Sequence, residues 1–184
     1  MATSLQQIAT FLEKRQLKFV REDANNRILL PFQAEDNEKV VIVVVLEENG
    51  EFLKILSPSV LTYRDGPHRL VLFQAMLEIC WETKMLQWEY DPSDGEIRAI
   101  IEFPLEDAAL TERQFFRAFE GLLQLLNLNR PRLKTILATG VDPKRGGGAR
   151  EGAPDPLVEA FRRHLSGDGG GSSSTGGGRP PDAL

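Results

Sequence analysis

One segment, residues 67–84 (PHRLVLFQAMLEICWETK), constrains the fold of this chain more than any other. If the segment is helical, its polar side chains Gln74, Glu78 and Glu82 form a single stripe with four-residue spacing. Between Leu70 and Trp81, nearly every other position is apolar. A surface helix is normally apolar on one face, whereas a helix that is apolar nearly all round is covered on more than one side. We therefore predict a helix packed on a sheet, with another helix or a second subunit on its other side, and with the polar stripe as its exposed ridge.

Three strands are predicted before that helix. Residues 40–46 (VVIVVVL) are continuously apolar and β-branched, which is typical of a central strand covered on both faces. The sequence Glu48–Gly50 contains Asn-Gly, which accepts the positive φ of a tight hairpin turn and joins this strand to residues 51–56. Residues 28–32 form the first strand, which we expect to end near Pro31. Together the three strands make an antiparallel meander.

Two more strands are predicted after the helix. Apolar and polar residues alternate over residues 86–90 and 97–103, and a hairpin loop at residues 91–95 joins them. The acidic residues beside this loop lack the regular oxygen ligands and terminal Glu of a calcium loop, so turn chemistry explains them better. Of the two tryptophans, we assign Trp88 to the core. For Trp81, a position in the core and a position at an interface both stay open.

Capping boxes predict where the first and last helices begin. In the first, the Ser4 side chain accepts from the Gln7 amide and the Gln7 side chain reaches back. A second box with the same spacing starts at Thr111. We expect the last helix to end at residues 127–131, with residues 132–138 adding a further turn or two.

The composition changes sharply after a domain that we assign to residues 1–142. Residues 143–184 are rich in Gly, Ser and Pro and offer too little apolar surface to offset chain entropy, so we predict a disordered tail. Residues 156–165 are a short helical island, with apolar side chains every four residues. These side chains are Leu157, Phe161 and Leu165. The island is either a docking helix for a groove on this protein or another, or a nascent helix with no partner.

Charge and residue inventory argue against several function classes. The net charge of -5 argues against nucleic acid as the main partner, and the basic, Gly-rich residues 144–150 are better explained as a linker. We expect no signal peptide and no membrane span, and we expect a cytoplasmic protein. His68, His164 and Cys80 form no compact catalytic set. We therefore predict no catalytic residue, no cofactor and no metal ligand.

The predicted order is αβββαββα, an α+β domain with an antiparallel sheet and a central helix packed on it. This order resembles the type III secretion chaperone-like fold and, within it, is most similar to YbjN-type domain proteins, over about residues 4–129. The strand VVIVVVL, the Asn49-Gly50 hairpin, the helix LVLFQAMLEIC and the hairpin WEYDPSDGEIRAIIEFPLED carry the resemblance. Proteins of this fold are in general not enzymes. The secretion chaperones form dimers and hold an extended partner segment, so the resemblance implies partner binding rather than secretion.

We therefore predict a protein that is not an enzyme but a protein-binding module, a chaperone-like or assembly/regulatory factor holding a segment of an unknown protein client. The predicted partner or dimer interface is Leu70, Leu77 and Trp81. The predicted tail-docking residues are Leu157, Phe161 and Leu165. Two alternatives stay open: a structural module that forms a homodimer and has no client, and an enzyme with an unrecognised site.

Overall fold

The structure is a computed structural model and describes residues 2–34 and 37–145. The chain divides into two units, residues 1–147 and 148–184, and the second lies outside the described residues. The tail and its island at residues 156–165 therefore stay predictions. The helices are α1 (Leu5–Lys14), α2 (Arg69–Glu82) and α3 (Glu112–Thr139). The strands are β1 (Val20–Glu22), β2 (Arg27–Gln33), β3 (Lys39–Glu47), β4 (Phe52–Thr62), β5 (Leu86–Tyr90) and β6 (Glu96–Pro104).

The strands of the described residues form one antiparallel sheet in the order β1-β2-β3-β4-β6-β5. The predicted meander is β2-β3-β4, and the second hairpin joins the sheet through β6. The predicted α+β class, antiparallel sheet and element order are confirmed, with one addition: the short strand β1 precedes β2. Three residues with exposed or half-buried side chains give β1 too weak a pattern to be predicted from sequence.

The core lies between one face of this sheet and all three helices. Ile42, Val44 and Leu46 of β3 are buried there, together with residues from α1, α2 and α3. On the opposite face of β3, Val43 is buried, but Val41 is exposed and Val45 is half-buried, so the prediction of a strand covered on both faces does not hold along its whole length. The reason is that the helices all pack on one face, and an antiparallel sheet tolerates water on the other.

Two prolines lie inside elements that they were expected to end. β2 continues through Pro31 to Gln33, because its pairing with β1 stops at Leu29 and leaves β2 as an edge strand at the proline. α3 likewise continues through Pro131. A proline inside a helix costs about 3 kcal/mol. Two fully buried core side chains beyond Pro131 offset this cost, at roughly 1.5–3 kcal/mol each. These side chains are Leu133 and Ile136.

The predicted turn and helix caps can be compared with the structure bond by bond. Asn49 and Gly50 have φ of 57° and 92°, as the hairpin turn requires. The capping box at Thr111 is complete. The box at Ser4 is only half formed: Ser4 accepts from the Gln7 amide, but the Gln7 side chain donates to the Leu110 carbonyl at 2.8 Å instead of reaching back. That side chain therefore ties α1 to the start of α3.

Candidate partner-binding surface on α2

The central helix α2 is buried on one face and apolar on the opposite face as well. Its buried face packs into the core next to β5 and α3. The buried residues are Leu72, Ala75, Met76 and Ile79. On the opposite face, Leu70, Leu77 and Trp81 are 84%, 72% and 83% exposed. We call these three residues the α2 stripe. The structure therefore places the three predicted interface residues together on one exposed line.

The exposure of α2 answers the question left open for Trp81. Trp81 lies in the α2 stripe and is not a core residue, whereas Trp88 of β5 is buried, as predicted. The side chain of Cys80, between them, is half-buried, and its Sγ accepts from the Trp88 amide at 3.3 Å. This bond fixes the end of α2 against the edge strand β5.

The predicted polar ridge of α2 is only partly exposed. Gln74 and Glu82 are exposed, but Glu78 is half-buried and accepts from Arg132 of α3 at 2.8 Å. Each helical residue turns by 100°, so Glu78 lies on the flank of α2 between the α2 stripe and the buried face, on the side of α3 and the segment that follows it. Among the described residues, the sheet and α3 cover α2 on one side, and the α2 stripe on the other side is open.

An ion-pair network joins that flank of α2 to the end of the described chain. Arg132 donates to both carboxylate oxygens of Asp142, at 2.8 and 2.5 Å, and also to Glu78. Farther along, Arg145 pairs with Glu78, and Lys144 pairs with Glu82. We call this network the clasp. Its members are Glu78, Glu82, Arg132, Asp142, Lys144 and Arg145.

The centre of the clasp is a buried charge pair, and its hydrogen bonds set its protonation. The hydrogen bond from Arg132 holds the pKa of Asp142 below its usual range. Burial opposes this shift, and the Lys144 amide, which also donates to Asp142, reinforces it. The same bond raises the pKa of Arg132. Both groups are therefore charged at neutral pH, and the segment after α3 is held against α2 by an intact ion pair.

The other polar groups singled out in the sequence have structural roles. Asp91 accepts from the Ser93 amide and Asp94 accepts from the Glu96 amide, both at 2.8 Å, so these carboxylates shape the β5–β6 turn. His68 occupies the N-cap position of α2 without a side-chain capping hydrogen bond, and its ring lies against Gly140. Within residues 2–34 and 37–145, no three His, Cys, Asp or Glu side chains are placed to hold a metal ion. In that same part of the chain, no helix has the length and apolarity needed to cross a membrane.

Comparison with known proteins adds information about the fold. No protein-family model matches the sequence, and no curated protein matches it. Among solved structures, E. coli YbjN, a candidate transcription regulator, aligns with a TM-score of 0.50 at 10% identity, covering 70% of this chain and 92% of that one. A chain of the HopA1–SchA chaperone–effector complex aligns with a TM-score of 0.47 at 16% identity, covering 66% and 88%.

The architecture and the likeness to YbjN define the class: an α+β domain with a YbjN-like fold, in which a central helix packs on an antiparallel sheet. YbjN is one solved protein whose fold this chain shares. The fold resemblance expected from the sequence is thereby confirmed. At 10% identity the likeness concerns the fold alone, so the argument about function depends on this chain's own surface.

Proposed function

We propose that this protein is a non-catalytic, cytoplasmic protein-binding module, a chaperone-like or assembly/regulatory factor, and that it holds a segment of a protein partner against the α2 stripe. The observation that carries the proposal is the exposure of Leu70, Leu77 and Trp81 on the outer face of α2. A single exposed leucine is ordinary in a soluble protein. Large apolar side chains gathered on one face are typical of a binding surface, and tryptophan is enriched among residues that dominate binding energy.

The dimensions of the α2 stripe indicate what kind of segment fits. From Leu70 to Trp81 the helix rises about 16 Å, which matches about three turns of a partner helix. Phe73 and Cys80 are half-buried beside the α2 stripe and widen its apolar surface. Gln74 and Glu82 border it on the other side. An apolar strip with a polar border is suited to the apolar face of an amphipathic partner segment.

The test compares the full chain with a double variant of the α2 stripe and with a control variant of an exposed leucine elsewhere. Leu77→Ser together with Trp81→Ser removes most of the α2 stripe, while Leu128→Ser changes an exposed leucine of α3 that is 65% exposed. Partners captured from cell extract by the wild-type protein are purified, and their affinities are measured by calorimetry. We expect the double variant to weaken binding by at least about tenfold, as for a hot spot, and the control to change it little. Equal affinities would contradict the proposal, provided that circular dichroism shows both variants folded.

A second candidate, dimerisation without a client, uses the same surface. Leu70 and Leu77 are seven residues apart, and Phe73 and Cys80 follow each of them by three, which is the spacing of a two-helix seam. Light scattering of wild-type protein and a Leu77→Glu variant tests this candidate, with circular dichroism as the folding control. A concentration-dependent dimer that becomes a monomer in the variant would support it, and a monomeric wild type would refute it.

The tail enters the proposal as a tether that keeps its helical island close to a target. Pull-down with and without the tail separates binding through the tail from binding through the domain. The truncation belongs after Arg145, because Lys144 and Arg145 both contact α2 and their loss would disturb the clasp. Partners retained by the truncated chain bind the domain, and partners lost with the tail bind through the island.

A further inference from the structure

We propose that a cleft between α1 and α3 binds an acidic segment of a protein partner. The cleft has a volume of about 610 Å³ and lies where the end of α1 meets the first half of α3. This surface is additional to the α2 stripe and differs from it in chemistry, because it is cationic rather than apolar. We call it the arginine cleft. Its lining includes Arg15 of α1 and, from α3, Arg113, Phe116, Arg117, Glu120 and Gly121.

The two glutamates in the lining of the arginine cleft are already paired with the end of α1. Oε2 of Glu112 lies 2.9 Å from Nζ of Lys14, and Glu120 pairs with Arg15. The guanidinium carbon of Arg15 also lies 3.5 Å from the centre of the Phe116 ring, a cation–π contact that holds Arg15 against the wall of the cleft. The acidic groups of the cleft are therefore neutralised within the domain.

The other two arginines of the cleft are not neutralised in this way. Arg113 and Arg117 form neither an ion pair nor a hydrogen bond within residues 2–34 and 37–145, and both side chains are exposed. They lie four residues apart on α3, so they are neighbours on its surface, and like charges with this spacing weaken a helix. In the described part of the chain, the arginine cleft thus carries two positive charges that the fold itself does not use.

The spacing and the chemistry of this pair fit carboxylates. Side chains four residues apart on a helix have Cβ atoms about 5–6 Å apart. Side chains two residues apart in an extended segment have a similar spacing of about 7 Å. A guanidinium binds a carboxylate through two parallel N–H···O bonds. A segment with regularly spaced Asp or Glu residues can therefore engage Arg113 and Arg117 together.

Two other classes of anion fit the arginine cleft less well. A nucleic acid needs a cation for each phosphate that the protein neutralises, and this pair supplies only two, on a chain with a net charge of -5. A small-molecule site encloses most of its ligand. The arginine cleft is open instead, because Arg113, Arg117, Glu120 and Gln124 in its lining are all exposed. A protein segment can lie across such an open cleft without being enclosed.

Gly121 gives the arginine cleft room for the backbone of such a segment. It lies four residues after Arg117, in line with the two arginines, and an added Cβ would meet no atom within 4 Å. Packing within the domain therefore does not require a glycine here, although a glycine inside a helix carries an entropic cost. A glycine at this position leaves a shallow notch, which allows a partner backbone to approach α3 closely.

The test uses a fluorescently labelled decapeptide of alternating Glu and Ala, which carries carboxylates at both spacings. Its affinity for the full chain is measured by fluorescence anisotropy. Arg113→Gln together with Arg117→Gln removes both charges, whereas the control, Lys39→Gln with Lys84→Gln, removes two exposed charges outside the cleft. We expect the arginine variant to weaken binding at least about tenfold. The lysine control keeps the cleft intact and should weaken binding less than about twofold.

A second variant tests the arginine cleft without removing an arginine. Gly121→Glu places a carboxylate four residues from Arg117, where it competes with the peptide. The open space at this position lets the variant fold, so it decides the test if circular dichroism shows the arginine variant to be unfolded. Its affinity for the peptide should fall at least about threefold. A decapeptide of alternating Gln and Ala should not bind the wild-type chain.

Several outcomes would overturn the inference. These are equal affinities of the arginine variant and the lysine control, unchanged affinity of Gly121→Glu, and no binding at millimolar peptide. Displacement of the peptide by millimolar inorganic phosphate would indicate a small-anion site, and tighter binding of a ten-nucleotide DNA single strand would indicate nucleic acid, and either result also overturns it. The Leu77→Ser and Trp81→Ser variant should bind the peptide as the wild type does. Loss of peptide binding in that variant would contradict a surface separate from the α2 stripe.

Discussion

Replacing Asp142 by Asn tests whether the clasp holds the segment after α3 in place. The Asp142 carboxylate is buried and accepts two hydrogen bonds from Arg132 and one from the Lys144 amide. Asparagine keeps the size of the side chain but loses its charge and turns an NH₂ donor towards a guanidinium that can only donate. Arg132 keeps a single carboxylate partner, Glu78, at 2.8 Å.

The expected loss of stability follows from the burial of the pair. Removing one partner of a buried ion pair costs about 3–5 kcal/mol. Because Glu78 still neutralises Arg132, we expect the free energy of unfolding to fall by about 2 kcal/mol, which is roughly the worth of a hydrogen bond to a charged group. With a denaturant slope of about 2 kcal/mol per molar urea, the unfolding midpoint falls by about 1 M.

The matched control is Asp65→Asn, which makes the same chemical change in an exposed ion pair. Asp65 is 93% exposed in its side chain and lies 3.6 Å from Arg69. An exposed pair of this kind contributes about 0–0.5 kcal/mol. Urea unfolding of the two variants, followed by circular dichroism, should therefore separate them clearly. Equal midpoints for the two variants would refute the assignment of the clasp as a buried, stabilising pair.

The effect of Asp142→Asn should also depend on pH. The pKa of Asp142 is depressed in the folded state, so its contribution to stability is present above the unfolded pKa of about 4 and is lost as the pH falls through the lower folded value. The difference in unfolding free energy between wild type and variant should be constant near neutral pH and should shrink below about pH 4. A difference that stayed constant in acid would show that the charge of Asp142 is not its cause.

Two paired substitutions test the packing around α2 and α3. Gly140→Ala should destabilise the fold by about 1–3 kcal/mol, because Gly140 has φ of 72° and an added Cβ would lie 2.4 Å from Nδ1 of His68. Gly121 of α3 has open space around it, so Gly121→Ala should be neutral or stabilise the fold by about 0.5–1 kcal/mol. Opposite signs in thermal unfolding are the expected result, and equal signs would contradict this packing. Ile79→Ala should cost about 2–5 kcal/mol and Leu77→Ala almost nothing, because the two residues lie on opposite faces of α2, Ile79 in the core and Leu77 in water. Similar losses in urea unfolding would show that the exposed face of α2 is misassigned.

Local features of the fold could be predicted because the residues that decide them are adjacent in sequence. The Asn49-Gly50 turn, the capping box at Thr111 and the alternating strand Leu86–Tyr90 each depend on backbone preferences over a few residues. The predicted element order and the burial of Trp88 follow from the same patterns. These features were sufficient to predict the α+β class and the position of the central helix.

The continuation of two elements through proline could not be predicted in this way. Whether Pro31 ends β2 depends on how far β1 pairs beside it, and β1 is itself too short to predict. Whether Pro131 ends α3 depends on the core that accepts Leu133 and Ile136. In both cases a local preference against proline competes with contacts that exist only in the folded chain.

The site shows most clearly what the sequence determined and what it left to the tertiary structure. The composition of α2 alone determined that some apolar face of this helix would need a cover, and Leu70, Leu77 and Trp81 were predicted as its interface residues. A helix that is apolar nearly all round has no preferred buried face, so its periodicity could not show that Glu78 turns towards Arg132. The clasp joins residues more than fifty positions apart along the chain. Only the packing of α3 against α2 brings those charges together, and that packing also decides which side of α2 is left open to solvent.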